Sequence, residues 1–437
     1  MEEALKQLNY SIRITKPTLR IRQNTIIYSL AFLLLFFLTA IGDIEINGPI
    51  KAIAKHYDEA FALVLTVYVL YHIKFLAKNK RVLLFLQICL LIIGMVSTVY
   101  YHYQGIIISL IDAVLLVSRF LIAYYAAYIF LKIHRKNLSQ YVLGIAKMLI
   151  LFLFILSLHE IFFTPFFATA DYRYFMHGLQ LMFPHATYMA AAAATLLIYF
   201  GYMHRAKRNL FIYMVLSTLL IFFTLRMKAI GFAMVYWFFY FQTFYFKKRH
   251  YFLMALLSSG AVLLVAYDAL MTNYLADDRF MPRMIMLKDG ISLMLSHFPL
   301  GTGFATFGSA MAASNYSPLY AKLGYLTYRG MSPDDTSFLT DVFWPTVFAQ
   351  FGFIGAVIFS LIILILVKTT ISIVNKDKSR GFSMLMIVVY YLITSTSESG
   401  FFNLTVLLMF LMFGTFEAEQ RHWRHKIYEK VSIPVNR

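Results

Sequence analysis

The chain has 437 residues, of which 60 % are hydrophobic, 18 % aromatic and only 14 % charged. A soluble domain carries roughly 45–50 % apolar and about 25 % charged residues, so this composition excludes a soluble enzyme, a disordered chain and a nucleic-acid-binding module. The net charge is +18, and basic residues of a membrane protein collect on its cytoplasmic side. The single cysteine, Cys89, excludes an internal disulfide and a multi-cysteine metal site.

Apolar runs long enough to cross roughly 30 Å of hydrocarbon, about 17–25 residues each, recur along the whole chain. Twelve runs are predicted to be transmembrane helices: Thr25–Ile41, Ala60–Leu76, Val82–Val99, Ile106–Leu131, Tyr141–Phe163, Ala186–Met203, Leu210–Leu225, Ala229–Phe246, Tyr251–Tyr267, Trp344–Val367, Gly381–Thr394 and Phe401–Phe416. No small-residue cleavage site follows the first run, so we expect a retained anchor rather than a signal peptide. The sequence therefore predicts an all-α polytopic integral membrane protein of about 12 helices.

The placement of Lys and Arg predicts the orientation of these helices. Alternate connections hold 27 of the 39 basic residues, counting Lys74 at the end of the second run, the other connections hold ten, and Arg119 and Lys147 lie within spans. Because cytoplasmic loops carry the excess of Lys and Arg, the first set is predicted to be cytoplasmic, with both termini inside. The predicted organisation is a cytoplasmic tail (1–24), spans one to nine (25–267), a large extracytoplasmic loop (268–343), spans ten to twelve (344–416) and a second cytoplasmic tail (417–437).

The large loop is the segment of the sequence that most suggests a function, because a connection this long is usually functional. Within it the sequence predicts short helices at Arg283–Ser296 and Thr336–Phe343 and a turn at Gly301–Gly303. Four of its tyrosines are predicted either to stack on sugar rings or to join the interfacial aromatic belt. They are Tyr316, Tyr320, Tyr325 and Tyr328.

Several cations on the predicted outer side indicate an anion site. Arg226 and Lys228 lie in a tight turn between spans seven and eight, and Lys228 is interpreted as an interfacial, snorkelling cation. Arg279 and Arg283 are four residues apart and share one face if the segment is helical. Arginine binds phosphate with two parallel hydrogen bonds and without a metal, so these arginines could clamp a phosphate. The alternative is a solvated face paired with neighbouring acids.

Other titratable groups leave two interpretations open. Asp112 and Arg119 are seven residues apart in the fourth span, about 10 Å along one side of the helix. Ions buried in a span are either functional or paired structurally between helices. Arg173, His177 and His185 occupy the next outer loop. A histidine there is either a proton acceptor or a hydrogen-bonded structural residue.

Metal and nucleotide chemistry have little support in the sequence. There is no HExxH motif, and the pairs Asp277–Asp278 and Asp334–Asp335 have no further ligands at a recognisable spacing. There is also no phosphate-binding loop with a Walker lysine. We therefore expect no metal and no cofactor.

Twelve spans with both termini inside also describe many secondary transporters. Those proteins usually consist of two related halves, whereas this sequence shows no internal repeat, and its large loop between spans nine and ten breaks a six-plus-six symmetry. An enzyme with its site on the outer face is therefore favoured. A flippase for lipid-linked sugars and a non-enzymatic scaffold stay open as alternatives.

The segment Arg283–Phe304, with the sequence His-Phe-Pro-Leu-Gly-Thr-Gly-Phe at its end, resembles the large-loop motif of the O-antigen ligase and Wzy-type polysaccharide polymerase superfamily. Three other blocks are similar to family motifs and occur in the family's order: Arg173…Gly178…Pro184-His185, Thr224-Leu225-Arg226, and Asp341–Pro345 leading to Gln350–Gly355. The resemblance thus covers residues 173–355 and includes the placement of the large loop.

This resemblance implies transfer of a glycan from undecaprenyl diphosphate to a hydroxyl group, on the outer face of the bacterial cytoplasmic membrane and without a cofactor. A polymerase extends a lipid-linked repeat unit, whereas a ligase uses another acceptor. Ligases of the family carry a His-Asn/Ser/Gln pair where this chain has Asp341 and Val342, so the resemblance favours a polymerase. The implied partners are the undecaprenyl-diphosphate-linked oligosaccharide, the lipid bilayer and a chain-length regulator, and no nucleic acid.

The two lines of reasoning together give the predicted site. The predicted catalytic residues are Arg226, Arg283, Asp341 and His185, and the predicted substrate-binding residues are Arg279, Arg173, His177 and Lys228. Preorganised arginines would stabilise the charge that builds on the departing diphosphate. An acid–base group must take the proton of the acceptor hydroxyl, and Asp341, His185 and His177 are the open candidates.

Overall fold

The structure is a computed structural model and describes residues 23, 25–37, 49–163, 166–167, 172–173, 176–204, 208–245 and 281–419. The predicted ninth span, Arg279 and most of both predicted tails lie outside the described residues. The longer helices are α1 (Thr25–Phe36), α2 (Pro49–Tyr71), α3 (Lys78–Tyr101), α4 (Ile106–His134), α5 (Leu138–Phe162), α6 (Ala186–His204), α7 (Phe211–Phe223), α8 (Met227–Phe244), α9 (Pro282–Ser296), α10 (Ala310–Ser314), α11 (Pro318–Lys322), α12 (Trp344–Val374), α13 (Lys378–Thr394) and α14 (Val406–Ala418). Two short antiparallel strands, β1 (Tyr172–Arg173) and β2 (Met176–His177), form a hairpin.

The predicted class, an all-α membrane protein, is confirmed, whereas the finer predictions are not tested. Five helices of the described chain are long and apolar enough to cross a membrane, namely α3, α4, α5, α6 and α12. A helix also lies at each of six other predicted spans, but these helices do not meet both criteria. The count of twelve spans, the domain boundaries and the orientation therefore stay predictions.

Helices α4 and α6 form the centre of the bundle. Every residue from Arg119 to Ala127 is buried in α4, and α6 is buried over almost its entire length. A helix that is apolar on all sides belongs in the interior of a protein. The run of alanines at 190–194 lets neighbouring helices approach α6 closely, because small side chains keep backbones near one another.

The residues from α9 to the first turns of α12 form a layer with a hydrophobic core that is separate from the core of the helix bundle. The predicted helix at Arg283–Ser296 is confirmed as α9, which packs along α12. The predicted helix at Thr336–Phe343 is wrong, because this stretch is a series of turns. The amide of Phe338 donates to the carbonyl oxygen of Gly330 at 2.8 Å, and the amide of Ser337 donates to the Asp335 carboxylate at 3.2 Å. Further along, the amides of Leu339 and Asp341 donate to the carbonyl oxygens three residues back, at 3.1 and 3.3 Å, which are the bonds of successive turns and not the i to i−4 bonds of an α-helix.

Two of the four tyrosines, Tyr320 and Tyr325, correct both interpretations made from the sequence. Tyr320 and Tyr325 are fully buried and stack on each other with ring centroids 5.7 Å apart. The Tyr320 hydroxyl accepts a hydrogen bond from the amide of Gly308 at 2.8 Å, and the Tyr325 hydroxyl donates to Asp289 at 2.6 Å. These two side chains belong to the core of the layer and form neither a sugar-stacking surface nor an interfacial belt.

A break in α12 joins this layer to the helix bundle. Gly352 has φ +63° and ψ −161°, so the helix is interrupted there. The freed carbonyl oxygens of Ala349 and Gln350 accept hydrogen bonds from the amides of Thr302 at 2.7 Å and Gly303 at 3.1 Å. The two backbones touch, since a Cβ atom on Gly352 would lie 2.3 Å from the carbonyl carbon of Leu300. Glycine is therefore required at the junction on two counts, its positive φ and the close approach.

Asp112 also stabilises the junction between this layer and the helix bundle. Its carboxylate is buried and accepts hydrogen bonds from the amide of Ala305 at 2.6 Å and from the hydroxyl of Ser309 at 2.9 Å. Arg119 donates to the carbonyl oxygen of Phe402 at 3.2 Å. Of the two interpretations, the structure favours a structural one, because both ions bind neighbouring backbone.

Candidate functional site

The predicted site residues lie where several helices begin or end at one end of the bundle. His185 directly precedes α6, Arg226 is the N-cap residue of α8, and Lys228 lies in the first turn of α8. Arg283 lies in the first turn of α9, and Asp341 precedes α12. The first amide groups of a helix have no acceptor within that helix, and its dipole favours negative charge there. These helix ends suit an anionic ligand.

Arg226 and His185 are in direct contact. Nη2 of Arg226 lies 2.9 Å from Nε2 of His185, and Nδ1 of His185 lies 2.9 Å from the hydroxyl oxygen of Thr187. A guanidinium group only donates, so Nε2 must be the unprotonated, accepting nitrogen. The proton of a neutral imidazole then lies on Nδ1, which faces both the hydroxyl oxygen of Thr187 and, at 3.3 Å, the Thr187 backbone amide. The hydroxyl oxygen is the acceptor of this proton, because an amide N–H only donates. The lone pair that a general base would use is occupied by Arg226 in this arrangement.

Lys228 and Glu398 form the second contact of the site. Glu398 follows the end of α13, and its carboxylate accepts a hydrogen bond from the ammonium group of Lys228. Lys228 also donates to the carbonyl oxygen of Ser397 at 3.2 Å, and Glu398 lies 3.4 Å from the hydroxyl of Thr187. Thr187 therefore connects this ion pair to His185 and Arg226.

Arg283 and Asp341 form the third contact. Nη2 of Arg283 lies 3.0 Å from Oδ2 of Asp341, and their side chains are 27 % and 40 % exposed. This pair is more open to solvent than Lys228 and Glu398, whose side chains are 20 % and 16 % exposed. Exposed ion pairs are worth roughly 0–1 kcal/mol, so a ligand can displace Asp341 from Arg283 at little cost.

The charges of the three contacts act on one another. Burial lowers the pKa of Lys228, the Glu398 carboxylate opposes that shift, the Arg283 charge adds to it, and the Asp341 charge opposes it. We call these seven residues the polar cluster: His185, Thr187, Arg226, Lys228, Arg283, Asp341 and Glu398. With a neutral His185 the cluster holds three positive and two negative charges. Its net positive charge suits an anion.

The structure brings five of the eight predicted site residues into this cluster. Lys228 was interpreted from the sequence as a snorkelling cation, whereas it is a member of the cluster and pairs with Glu398. His177 lies in β2, is exposed, and its ring contacts that of Tyr172 at 5.1 Å. Arg173 lies in β1, where its backbone pairs with Met176, and Arg279 lies outside the described residues.

Sequence reasoning missed Glu398 and Thr187. Glu398 is one of the few acids between apolar spans, and that position was its only signal in the sequence. Thr187 carries no signal, because a threonine in the first turn of an alanine-rich helix is ordinary. Both are separated from Lys228 by long stretches of chain, so only the packing of α6, α8 and α13 brings them together.

A metal site was not predicted. Within the ranges that the structure describes, no three His, Cys, Asp or Glu side chains converge in a way that could hold a metal ion.

No family model matches this chain, and no curated protein sequence matches it either.

Proposed function

We propose that this chain is a polysaccharide polymerase of the O-antigen ligase and Wzy-type superfamily. It would move a growing glycan from undecaprenyl diphosphate to the hydroxyl group of a lipid-linked repeat unit. The observation that carries the proposal is the gathering of Arg226, Lys228 and Arg283 at one end of the helix bundle, where Asp341, the partner of Arg283, is the acceptor that a diphosphate can replace.

The proposed reaction requires the protein to stabilise the leaving diphosphate and to accept a proton. The acceptor oxygen bonds to the anomeric carbon, while the bond between that carbon and the diphosphate oxygen breaks and its electron pair leaves with the diphosphate. Donors arranged in advance around the leaving group stabilise this growing charge without reorganising. Arg226 and Arg283 are suited to this role, because guanidinium groups bind phosphate oxygens through two parallel hydrogen bonds.

The second requirement is a group that accepts the proton of the acceptor hydroxyl. Asp341 is best placed for it, because it is the more exposed of the two carboxylates and loses its partner when Arg283 binds the diphosphate. His185 is less suited, since Arg226 occupies its accepting nitrogen. Asp341 therefore ranks before His185, and His177, which lies in β2, is not a member of the polar cluster.

The proposal includes the predicted topology of twelve spans, with both termini in the cytoplasm and the polar cluster at the outer face. The helix ends that meet at the cluster are those that the distribution of Lys and Arg puts outside. Reporter tags test this topology. Tags at Lys378 and at either terminus should report cytoplasm, and a tag at Ser314 should report the outer side. An outer signal from Lys378 would contradict the span count.

Reconstitution tests the activity. Purified protein in liposomes should convert a synthetic polyprenyl-diphosphate-linked repeat unit into a ladder of lipid-linked oligomers and release polyprenyl diphosphate. Movement of the lipid-linked unit across the bilayer without any oligomers would instead indicate a transporter.

A further inference from the structure

A large apolar cavity lies among α1, α2, α4, α5, α6 and α14. Its volume is about 490 Å³, which is within the range of roughly 300–1,000 Å³ that holds small-molecule ligands. Its walls are almost entirely hydrocarbon and include Phe32, Phe61, Ala126 and Leu411. Water has no partners on such walls, so the cavity suits an apolar occupant.

The cavity reaches the outside of the bundle. Ala31 of α1 and Val64 of α2 line it, and both are exposed, Val64 to 63 %. In a membrane this face of the bundle meets lipid tails. Within the part of the chain that the structure describes, the cavity is therefore open to a hydrocarbon chain of the bilayer.

One end of the cavity is polar and basic. Tyr28, Tyr68 and Ser139 line that end, and the ammonium group of Lys136 donates to the Tyr28 hydroxyl at 2.9 Å. The Tyr68 hydroxyl is buried and makes no hydrogen bond within the described part of the chain. Lys136 and its neighbour Arg135 lie in the short connection between α4 and α5. This end offers a donor-rich, cationic position next to a hydrocarbon slot.

A carboxylate also lies behind this end. Glu419 accepts hydrogen bonds from the amide and hydroxyl of Ser139 at 2.8 and 2.9 Å and from the hydroxyl of Tyr202 at 2.6 Å. The Glu419 carboxylate is thus held by amide and hydroxyl donors of α5 and α6, and the positive charge of Lys136 lies beside Tyr28 at the mouth of the cavity.

We infer that the cavity binds one acyl chain of an anionic phospholipid, whose phosphate lies at Lys136. The polar end fixes the orientation of this lipid. It lies where α14 ends, at Thr415 and Phe416, whereas Glu398 of the polar cluster lies shortly before α14 begins. A lipid carrier whose diphosphate lies at Arg226 would bring only the apolar end of its tail to this position. That end carries no group that the ammonium of Lys136 can bind. A phospholipid of the opposite leaflet fits both the slot and the charge.

Lipid analysis of the purified protein tests this inference. After purification in detergent, native mass spectrometry of the full chain should show one retained phospholipid, and extraction should identify it as anionic. Ala31→Trp and Val64→Trp should abolish retention, because the added rings close the side opening. Val67→Trp is the matched control, since Val67 is equally exposed on α2 but does not line the cavity.

The charge requirement is tested separately. Lys136→Gln should weaken binding of added phosphatidylglycerol about fivefold, as expected from the loss of one Lys near a lipid phosphate, whereas Lys376→Gln at an exposed position should not. Equal retention by the Val64→Trp and Val67→Trp variants, absence of any bound phospholipid, or recovery of a polyprenyl lipid in its place would each overturn the inference. None of these readouts depends on transferase activity, so they stand apart from the proposed function.

Discussion

Arg226 donates a hydrogen bond to Nε2 of His185 at 2.9 Å, and this contact assigns the two residues different roles. The guanidinium group always carries its protons, so the imidazole must accept. His185 then holds the arginine in position, while Thr187 holds the imidazole through Nδ1 at 2.9 Å. In the proposed reaction His185 is a positioning residue, and Arg226 is the group that meets the diphosphate.

This arrangement predicts the effect of substitutions at His185. His185→Gln keeps an acceptor, the amide oxygen, for Arg226, whereas His185→Ala removes it. We expect the glutamine variant to retain much more polymer-forming activity than the alanine variant, measured as the ladder of lipid-linked oligomers at equal protein level. A general base would not be replaced by an amide, so equally deep losses in both variants would contradict the positioning role.

The sequence predicted the parts of the structure that depend on local patterns. Hydropathy predicted a helix beginning at Trp344, and α12 begins at that residue. The unusual positions of Arg226 and Arg283, together with the family resemblance, indicated two residues that the structure places in the polar cluster. Apolar runs and isolated charges can be recognised in the sequence itself, because a polar group without a partner raises the free energy of a membrane-embedded helix.

The rest depends on contacts between distant parts of the chain. Glu398 pairs with Lys228 only because α8 and α13 pack together, and no spacing in the sequence reports that packing. Tyr320 was misjudged because a tyrosine is amphipathic, and its burial depends on an amide donor, Gly308, that only the folded loop provides.

A second prediction concerns pH. Burial lowers the pKa of Lys228 below its usual value, and the Glu398 carboxylate acts against that shift. Glu398→Gln removes the opposing charge, so the pKa of Lys228 falls further and Lys228 loses its proton at a lower pH. The alkaline limit of activity should therefore move to lower pH in this variant. Glu398→Asp keeps the charge and is the control. An unchanged alkaline limit in the Gln variant would show that Lys228 charge does not matter for turnover.

A third prediction concerns the junction at the break in α12. Gly352→Ala and Gly301→Ala should each destabilise the protein by roughly 1–3 kcal/mol or more, because the added methyl group meets backbone atoms at 2.3–2.4 Å. Thermal unfolding in detergent measures the effect. Gly144→Ala is the matched control, since nothing lies within 4 Å of its added Cβ, and alanine there should be neutral or stabilising.

A fourth prediction concerns metal ions. If arginines hold the diphosphate, polymer formation by the reconstituted protein should continue in the presence of EDTA. Activity that is lost with EDTA and restored by a divalent ion would assign Asp334, Asp335 and Asp341 as ligands instead, and the proposed roles of the arginines would then have to be revised.

The last prediction tests the arginines themselves. Lysine keeps the positive charge but loses the planar pair of donors that binds phosphate. We therefore expect Arg226→Lys and Arg283→Lys each to lower the rate on the order of 100–1,000-fold, the effect of removing one donor to a developing negative charge. Single repeat units should accumulate at the expense of long chains, with protein level and thermal unfolding unchanged.

Arg329→Lys is the control, because Arg329 is exposed in the same large loop and outside the polar cluster. Asp341→Asn separates the two parts of the mechanism, since it leaves both arginines in place and removes only the group proposed to accept the proton. It should bind the lipid-linked substrate as well as the unmodified protein does while forming few oligomers. Unmodified ladders from both arginine variants would remove the main support for a phosphate site at the polar cluster, and a transporter of lipid-linked sugars would then become the better account of the chain.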